Sequence, residues 1–179
     1  QHLIEVQERK AAEFHDIFKM GRTEMQDAVP MRMSQAFLAV ASALTRDIFK
    51  TREAEQSLYY VNLGGTAIGT GMNASPAYRA LIVPELSRVC GIELKQAPNL
   101  IDATQNLDDF IDASAAIKSC AVTLNKWASD LRILSSGPAT GFNELNLPGV
   151  QNGSSIMPGK VNPVIPEAVS QVAFNCIGN

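Results

Sequence analysis

The chain has 179 residues, 46% hydrophobic and 18% charged, with a formal net charge of -3. So much apolar residue can build a sizeable core and excludes a chain disordered throughout. The charge density is below the roughly 25% of ordinary soluble domains. Its negative sign excludes nucleic-acid binding driven by charge, and no apolar run approaches the roughly 18 residues of a membrane span.

Residues 1–18 read as helix, with Ile4, Ala11, Phe14 and Phe18 on one face. Met20, Gly21, Arg22 and Thr23 interrupt it. A longer helix is predicted from near Pro30, a favoured first-turn residue, to about Tyr60. Its apolar positions are Phe37, Ala41, Leu44 and Ile48. Four glycines between Gly64 and Gly71 make a loop. Pro76 opens a helix to about Cys90, and Gly91 is placed to cap it. Residues 92–106 are irregular, with a short strand expected where Ile92 and Leu94 alternate.

The strongest element is the helix predicted over 107–134. Phe110, Ile117, Leu124 and Leu131 repeat every seven residues. Ala113, Cys120, Trp127 and Leu134 form the second line of the same seam, with Asp112, Lys118, Lys126 and Asp130 off it. Trp127 and the cysteines are therefore expected in the core. Residues 135–163 then form one long loop with five glycines and four prolines; such a loop in a folded domain is usually functional or disordered. A last helix follows Pro163 and Pro166, over 168–177. Helices with so few charges are expected to bury more than one face, against further chain or other subunits.

Residue 1 is Gln, and helix is predicted from the first position without a capping signal. Both ends are therefore read as cuts in or beside helices, and residues 1–179 as part of a longer chain. Cys90, Cys120 and Cys176 lack metal-ligand or disulfide spacing, which fits buried thiols in a reducing compartment. With no signal peptide pattern, a cytoplasmic location is expected.

Several signals are weak. Gly159-Lys160 lacks the neighbours of a phosphate loop, and Gly64–Gly71 lacks the strand and spacing of a dinucleotide site. Asn73-Ala74-Ser75 and Asn152-Gly153-Ser154 match glycosylation sequons without a secretory context. His2 and His15 have no metal spacing, and no His falls near a loop serine to make a triad.

Chemistry concentrates in Gly153-Ser154-Ser155-Ile156-Met157-Pro158-Gly159-Lys160-Val161-Asn162-Pro163. Two hydroxyls, a lysine and an amide precede a helix N-terminus, a combination suited to an anionic ligand. The alternative from composition alone is a solvated loop with incidental polar residues. The segment resembles the signature loop GSSxMPxKxN of the fumarase/aspartase superfamily. Gly21 to Pro30 resembles its GRTxxQDAxP block, and Gly64 to Asn73 its GxTAxGTGxN block. Asn125 to Pro138 resembles its K-x-x-x-D-L-R-x-x-x-S-G-P stretch. The blocks come in the family's order and span nearly the whole chain. Asn162-Pro163-Val164-Ile165-Pro166-Glu167 is most similar to the aspartase branch, and Asp102 to Asn106 resembles the same branch. Two positions depart from the family. Glu24 stands where fumarases have His, and Ala139-Thr140 where relatives often have Arg first.

The resemblance implies an all-α fold, a long-helix bundle with glycine-rich loops. It makes residues 1–179 part of a central helical domain, with N- and C-terminal domains outside them. It implies ammonia elimination from L-aspartate to give fumarate, a small-molecule reaction needing no cofactor, metal, nucleic acid or membrane. The assembly implied is a homotetramer with active sites shared between subunits, so the 179 residues alone are expected to be inactive. By the same resemblance Ser154 is the base. Thr23, Lys160 and Asn162 bind a substrate carboxylate, and Ser155 adds a hydroxyl or backbone donor. The role of Glu24 stays open. Glu167 is read as a first-turn residue offsetting the helix dipole, because the His that its fumarase counterpart pairs with is absent. The alternatives are a class II fumarase acting on L-malate, or a non-catalytic helical oligomerisation segment.

Overall fold

Helix α1 (His2–Glu13) ends sooner than its apolar spacing predicts, in a computed structural model that describes all of Gln1–Asn179. It buries Gln7 and Ala11, with Ile4 and Phe14 packed beside the core. The next segment corrects the sequence reading. An antiparallel hairpin, β1 (Phe18–Thr23) and β2 (Gln26–Arg32), occupies the expected helix break and the expected start of the long helix. Phe18 therefore lies exposed on a strand, under the Arg32 guanidinium at 4.8 Å. The turn residues Glu24 and Met25 both have positive φ, 51° and 63°. Paired positive φ is the backbone of the two-residue hairpin turn whose twist suits the strands. Pro30 is tolerated because a two-stranded sheet is all edge.

Helix α2 (Met33–Ser57) follows, starting after Pro30 rather than at it. It buries Met33, Phe37, Val40, Ala41 and Leu44. Strand β3 (Tyr60–Val61) leads into the glycine loop. Helix α3 (Pro76–Cys90) has the predicted bounds. The Ser75 hydroxyl accepts the Tyr78 N–H at 3.2 Å, and Gly91 closes the helix in the left-handed conformation, φ 67°. Strand β4 (Lys95–Gln96) pairs parallel with β3, so the expected strand exists but lies just past Ile92 and Leu94. After the short α4 (Asp102–Gln105) comes α5 (Asp108–Leu134), the longest element, then α6 (Val164–Gly178). No helix or strand lies between α5 and α6, as expected for the long loop. The chain is thus mainly helical, with two minimal sheets.

Contacts divide the chain into two units. Phe49–Ala116 holds the glycine loop, α3, α4 and the β3–β4 pair. Gln1–Ile48 and Ile117–Asn179 make the other, and its core is Ala11, Met33, Phe37, Val40, Leu44 and Trp127. Phe37 contacts Phe14 at 5.3 Å and Trp127 edge-on at 5.1 Å, between ring centroids. Such aromatic pairs add about 0.5–1.5 kcal/mol to the area they bury. The α5 seam is covered only toward its C-terminus. Trp127 and Leu134 are buried, whereas Phe110 and Ile117 are exposed.

The thiols also differ from expectation. Cys90 is exposed, and Cys120 and Cys176 are half-buried. Burial, then the nearby Asp47 carboxylate, push the Cys120 thiol above its ordinary range. Asp47 is itself buried and accepts from the Ser119 hydroxyl at 3.1 Å. No helix is long and apolar enough to cross a membrane.

Candidate active site

The loop after α5 begins by folding back on that helix. The Leu134 carbonyl accepts from the Glu144 N–H at 2.8 Å and the Leu145 N–H at 3.1 Å. Ser136 accepts twice, its carbonyl from the Asn143 N–H and its hydroxyl from the Phe142 N–H. The bonds to Leu134 occupy a carbonyl that the end of α5 leaves without a helical partner. Residues 142–145 are therefore anchored, although they form no regular structure.

The signature segment is held more lightly. Met157 N–H donates to the Ser154 carbonyl at 3.1 Å, and Lys160 N–H donates to the Met157 carbonyl at 3.3 Å. Gly159 turns the chain between them with φ 82°, in the left-handed region where a side chain is strained. The Ser154 hydroxyl accepts from the Ile156 N–H at 3.3 Å. Ser154 is half-buried, while Ser155, Lys160 and Asn162 are exposed. The Asn162 carbonyl accepts from Val164 N–H at 2.9 Å as α6 begins.

Lys160, Asn162 and Glu167 line one pocket of about 1050 Å³. Arg132 and Ser129 of α5 face it, with Asn143 and Asn146 of the loop and Met25 of the hairpin turn. Arg132 Nη2 lies 3.9 Å from Glu167 Oε1, both side chains half-exposed. Two cations and one carboxylate leave the rim net positive. The start of α6 adds the partial positive charge of a helix dipole. A carboxylate is the natural guest for such a rim. No group of three or more His, Cys, Asp or Glu side chains is assembled that could hold a metal ion.

The other residues singled out from the sequence stand apart from this lining. Ser154 and Ser155 sit earlier on the loop. Thr23 pairs with Gln26 at the end of the hairpin, exposed, with Glu24 beyond it at the turn. What the sequence reading missed is cationic. Arg132 was visible in the Asp-Leu-Arg stretch and Arg22 in the Gly-Arg-Thr block, yet neither had a local partner to suggest a role. Arg22 Nη1 lies 2.6 Å from Glu144, Lys19 Nζ 3.1 Å from the same carboxylate, and Arg22 Nε 3.3 Å from Asp27. The Arg22 guanidinium also stands 4.3 Å over the Phe142 ring.

Residues 1–178 match a family described as lyase. The chain is 55% identical to the aspartate ammonia-lyase of Pseudomonas fluorescens over 178 residues, 99% of this chain and 37% of that protein. It is 50% identical to the aspartate ammonia-lyase of Bacillus subtilis over 171 residues, 96% of this chain and 36% of that one. It superposes on a fumarate lyase:delta crystallin from Brucella melitensis, solved bound to cobalt, with a TM-score of 0.94 and 50% identity, covering 98% of this chain and 38% of that one. The class II fumarase of Schistosoma mansoni gives a TM-score of 0.93 at 33% identity, covering 99% and 40%. The chain thus spans well under half the length of the relatives it matches. A family match over nearly every residue, with relatives half identical to it, means that the chain belongs to the lyase family, within the superfamily of fumarases and aspartases.

Proposed function

We propose that the protein is an aspartate ammonia-lyase, eliminating ammonia from L-aspartate to give fumarate. The observation that carries this reading is the shared pocket wall of Lys160 and Asn162, in a chain half or more identical to aspartate ammonia-lyases. The chemical difficulty is the carbanion formed when the Cβ proton leaves. It is tolerable only when the adjacent carboxylate takes up the charge as a dianionic aci-carboxylate. Fixed positive charge and donors around that carboxylate stabilise it. Lys160 supplies the charge, Asn162 the amide donor and Thr23 a hydroxyl. Ser155 adds a hydroxyl or backbone donor.

Ser154 takes the Cβ proton. A serine hydroxyl is too weak an acid to ionise near neutrality, so its activation requires donors and charge around it. Its place on a glycine-rich loop suits a lid that closes over substrate and excludes water. As the Cβ proton goes to Ser154, its electron pair moves into the carboxylate. The pair then returns to form the double bond as the Cα–N bond breaks and ammonia leaves.

Residues 1–179 are, in this reading, part of the central helical domain of a longer cytoplasmic chain. It assembles as a homotetramer with active sites shared between subunits. The exposed Phe110, Ile111 and Ile117 on α5, with Val172 and Phe174 on α6, supply apolar surface for that assembly. The test is fumarate formation by the full-length protein, followed by ultraviolet absorbance, with L-aspartate and L-malate in parallel. Fumarate from aspartate alone supports the reading. Fumarate from malate alone replaces it with a fumarase, and none from either leaves an oligomerisation segment.

A further inference from the structure

Lys19 and Arg22 are three apart on β1, a spacing that puts side chains on opposite faces of a regular strand. Both nevertheless reach the Glu144 carboxylate, at 3.1 and 2.6 Å. The pairing explains how. Lys19 faces Met31 and Met20 faces Pro30, but Arg22 faces Asp27, so β2 holds one residue more between Met20 and Arg22. A bulge of this kind twists the ladder and re-aims side chains. Gly21 sits at the irregularity, and a Cβ there would fall 2.8 Å from the Val29 carbonyl oxygen. The glycine of the Gly-Arg-Thr block thus lets the bulge form, and the bulge brings two cations to one carboxylate.

The three charged side chains retain only 9% exposure at Lys19, 16% at Glu144 and 18% at Arg22. Phe142, two residues before Glu144, closes the other side of the guanidinium. Glu144 in turn is fixed to the end of α5 through its own N–H and the Leu134 carbonyl. Arg22 is the immediate neighbour of Thr23. A single carboxylate therefore ties the hairpin end that bears Thr23 to α5, two residues along which Arg132 enters the pocket of Lys160 and Asn162.

We propose that Glu144 is a positioning residue, a clasp that sets where Thr23 stands for a substrate carboxylate. The inference rests on the reading of the site given above. It assigns Glu144 no contact with substrate. Its effect passes through Lys19 and Arg22 to the backbone of Thr23. Thr23 donates to the substrate carboxylate and to the aci-carboxylate formed from it, so displacing it raises KM and lowers kcat together.

The test uses the full-length protein. Glu144→Gln keeps the shape and removes the charge. The kcat/KM for L-aspartate is expected to fall about ten- to a hundredfold, the weight of one charge-assisted hydrogen bond from Thr23, through a higher KM and a lower kcat together. The fall should vanish in a Thr23→Val background, and Glu144→Asp should restore part of the loss. Lys19→Gln, which leaves the Arg22 pair in place, should shift kcat/KM the same way by less and serves if Glu144→Gln fails to fold. An unchanged kcat/KM, or a fall that multiplies fully with that of Thr23→Val, overturns the proposal. Hydrogen exchange over residues 18–32 is the second readout. Faster exchange in Glu144→Gln supports the clasp and unchanged exchange refutes it, even if the wild-type protein makes no fumarate from aspartate and the function proposed above falls.

Discussion

Arg132, in the last turn of α5, stands 3.9 Å from Glu167, in the first turn of α6, across the mouth of the pocket that Lys160 and Asn162 line. Each side chain is 44% exposed, so water screens the pair. An exposed pair of this kind contributes under about 1 kcal/mol, and a carboxylate in a first helical turn about 0.3–1 kcal/mol. Glu167→Gln is accordingly expected to lower stability by no more than about 1 kcal/mol in urea denaturation and to keep kcat within about threefold. A loss of turnover of two orders of magnitude would instead put Glu167 in the chemistry.

Lys160 makes the opposite case. Its ammonium is a charge that the substrate and the aci-carboxylate both need. Lys160→Ala should therefore raise KM and lower kcat together, each by about tenfold or more. Steady-state kinetics with L-aspartate decide it. An unaltered kcat would confine Lys160 to binding, and unaltered values of both would remove it from the site.

The core that carries these elements depends on Phe37. Its ring is 6% exposed and bridges Phe14 of the α1 end to Trp127 of α5. Phe37→Ala should cost about 3–5 kcal/mol, lost transfer energy plus a cavity. Urea unfolding followed by the fluorescence of the single tryptophan, Trp127, measures it. A cost under about 1 kcal/mol would mean that the site collapses around the truncation.

Cys120 gives a pH dependence with a definite sign. Burial and then Asp47 raise its folded-state value above the ordinary thiol value of 9.0. Above pH 9.0 the unfolded chain loses the thiol proton while the folded chain keeps it. The contribution to stability is therefore complete below that pH and declines as pH rises toward the folded value. Cys120→Ala should remove that part of the alkaline decline, seen as a shallower fall of unfolding free energy in the variant. Equal slopes in the two proteins would contradict the shift. The exposed Cys90 should also be alkylated before Cys120.

Local signals were legible in the sequence and distant ones were not. Helix α3 was readable because Ser75, Pro76 and Gly91 are cap and first-turn residues that act on their own neighbours. The β1–β2 hairpin was not, because Glu24 and Met25 lack the Asn-Gly or Asp-Gly chemistry that announces such a turn. The α5 seam named Trp127 and Leu134 correctly as buried, but a heptad pattern reports which face is apolar and not what covers it. Phe110 and Ile117 therefore stand exposed in this chain. In the site, the signature loop pointed to Lys160 and Asn162. Arg132 with Glu167, and Lys19 and Arg22 with Glu144, join residues 35 or more positions apart. Only the folded chain shows such pairs.

The most direct measurement is the rate of fumarate formation from saturating L-aspartate by the full-length protein and by its Ser154→Ala variant, with substrate binding measured separately by calorimetry. Turnover is expected in the wild type, with a fall of about two to four orders of magnitude in the variant and binding retained in both. Near-normal turnover in Ser154→Ala would contradict Ser154 as the base, because the Cβ proton would then have another acceptor.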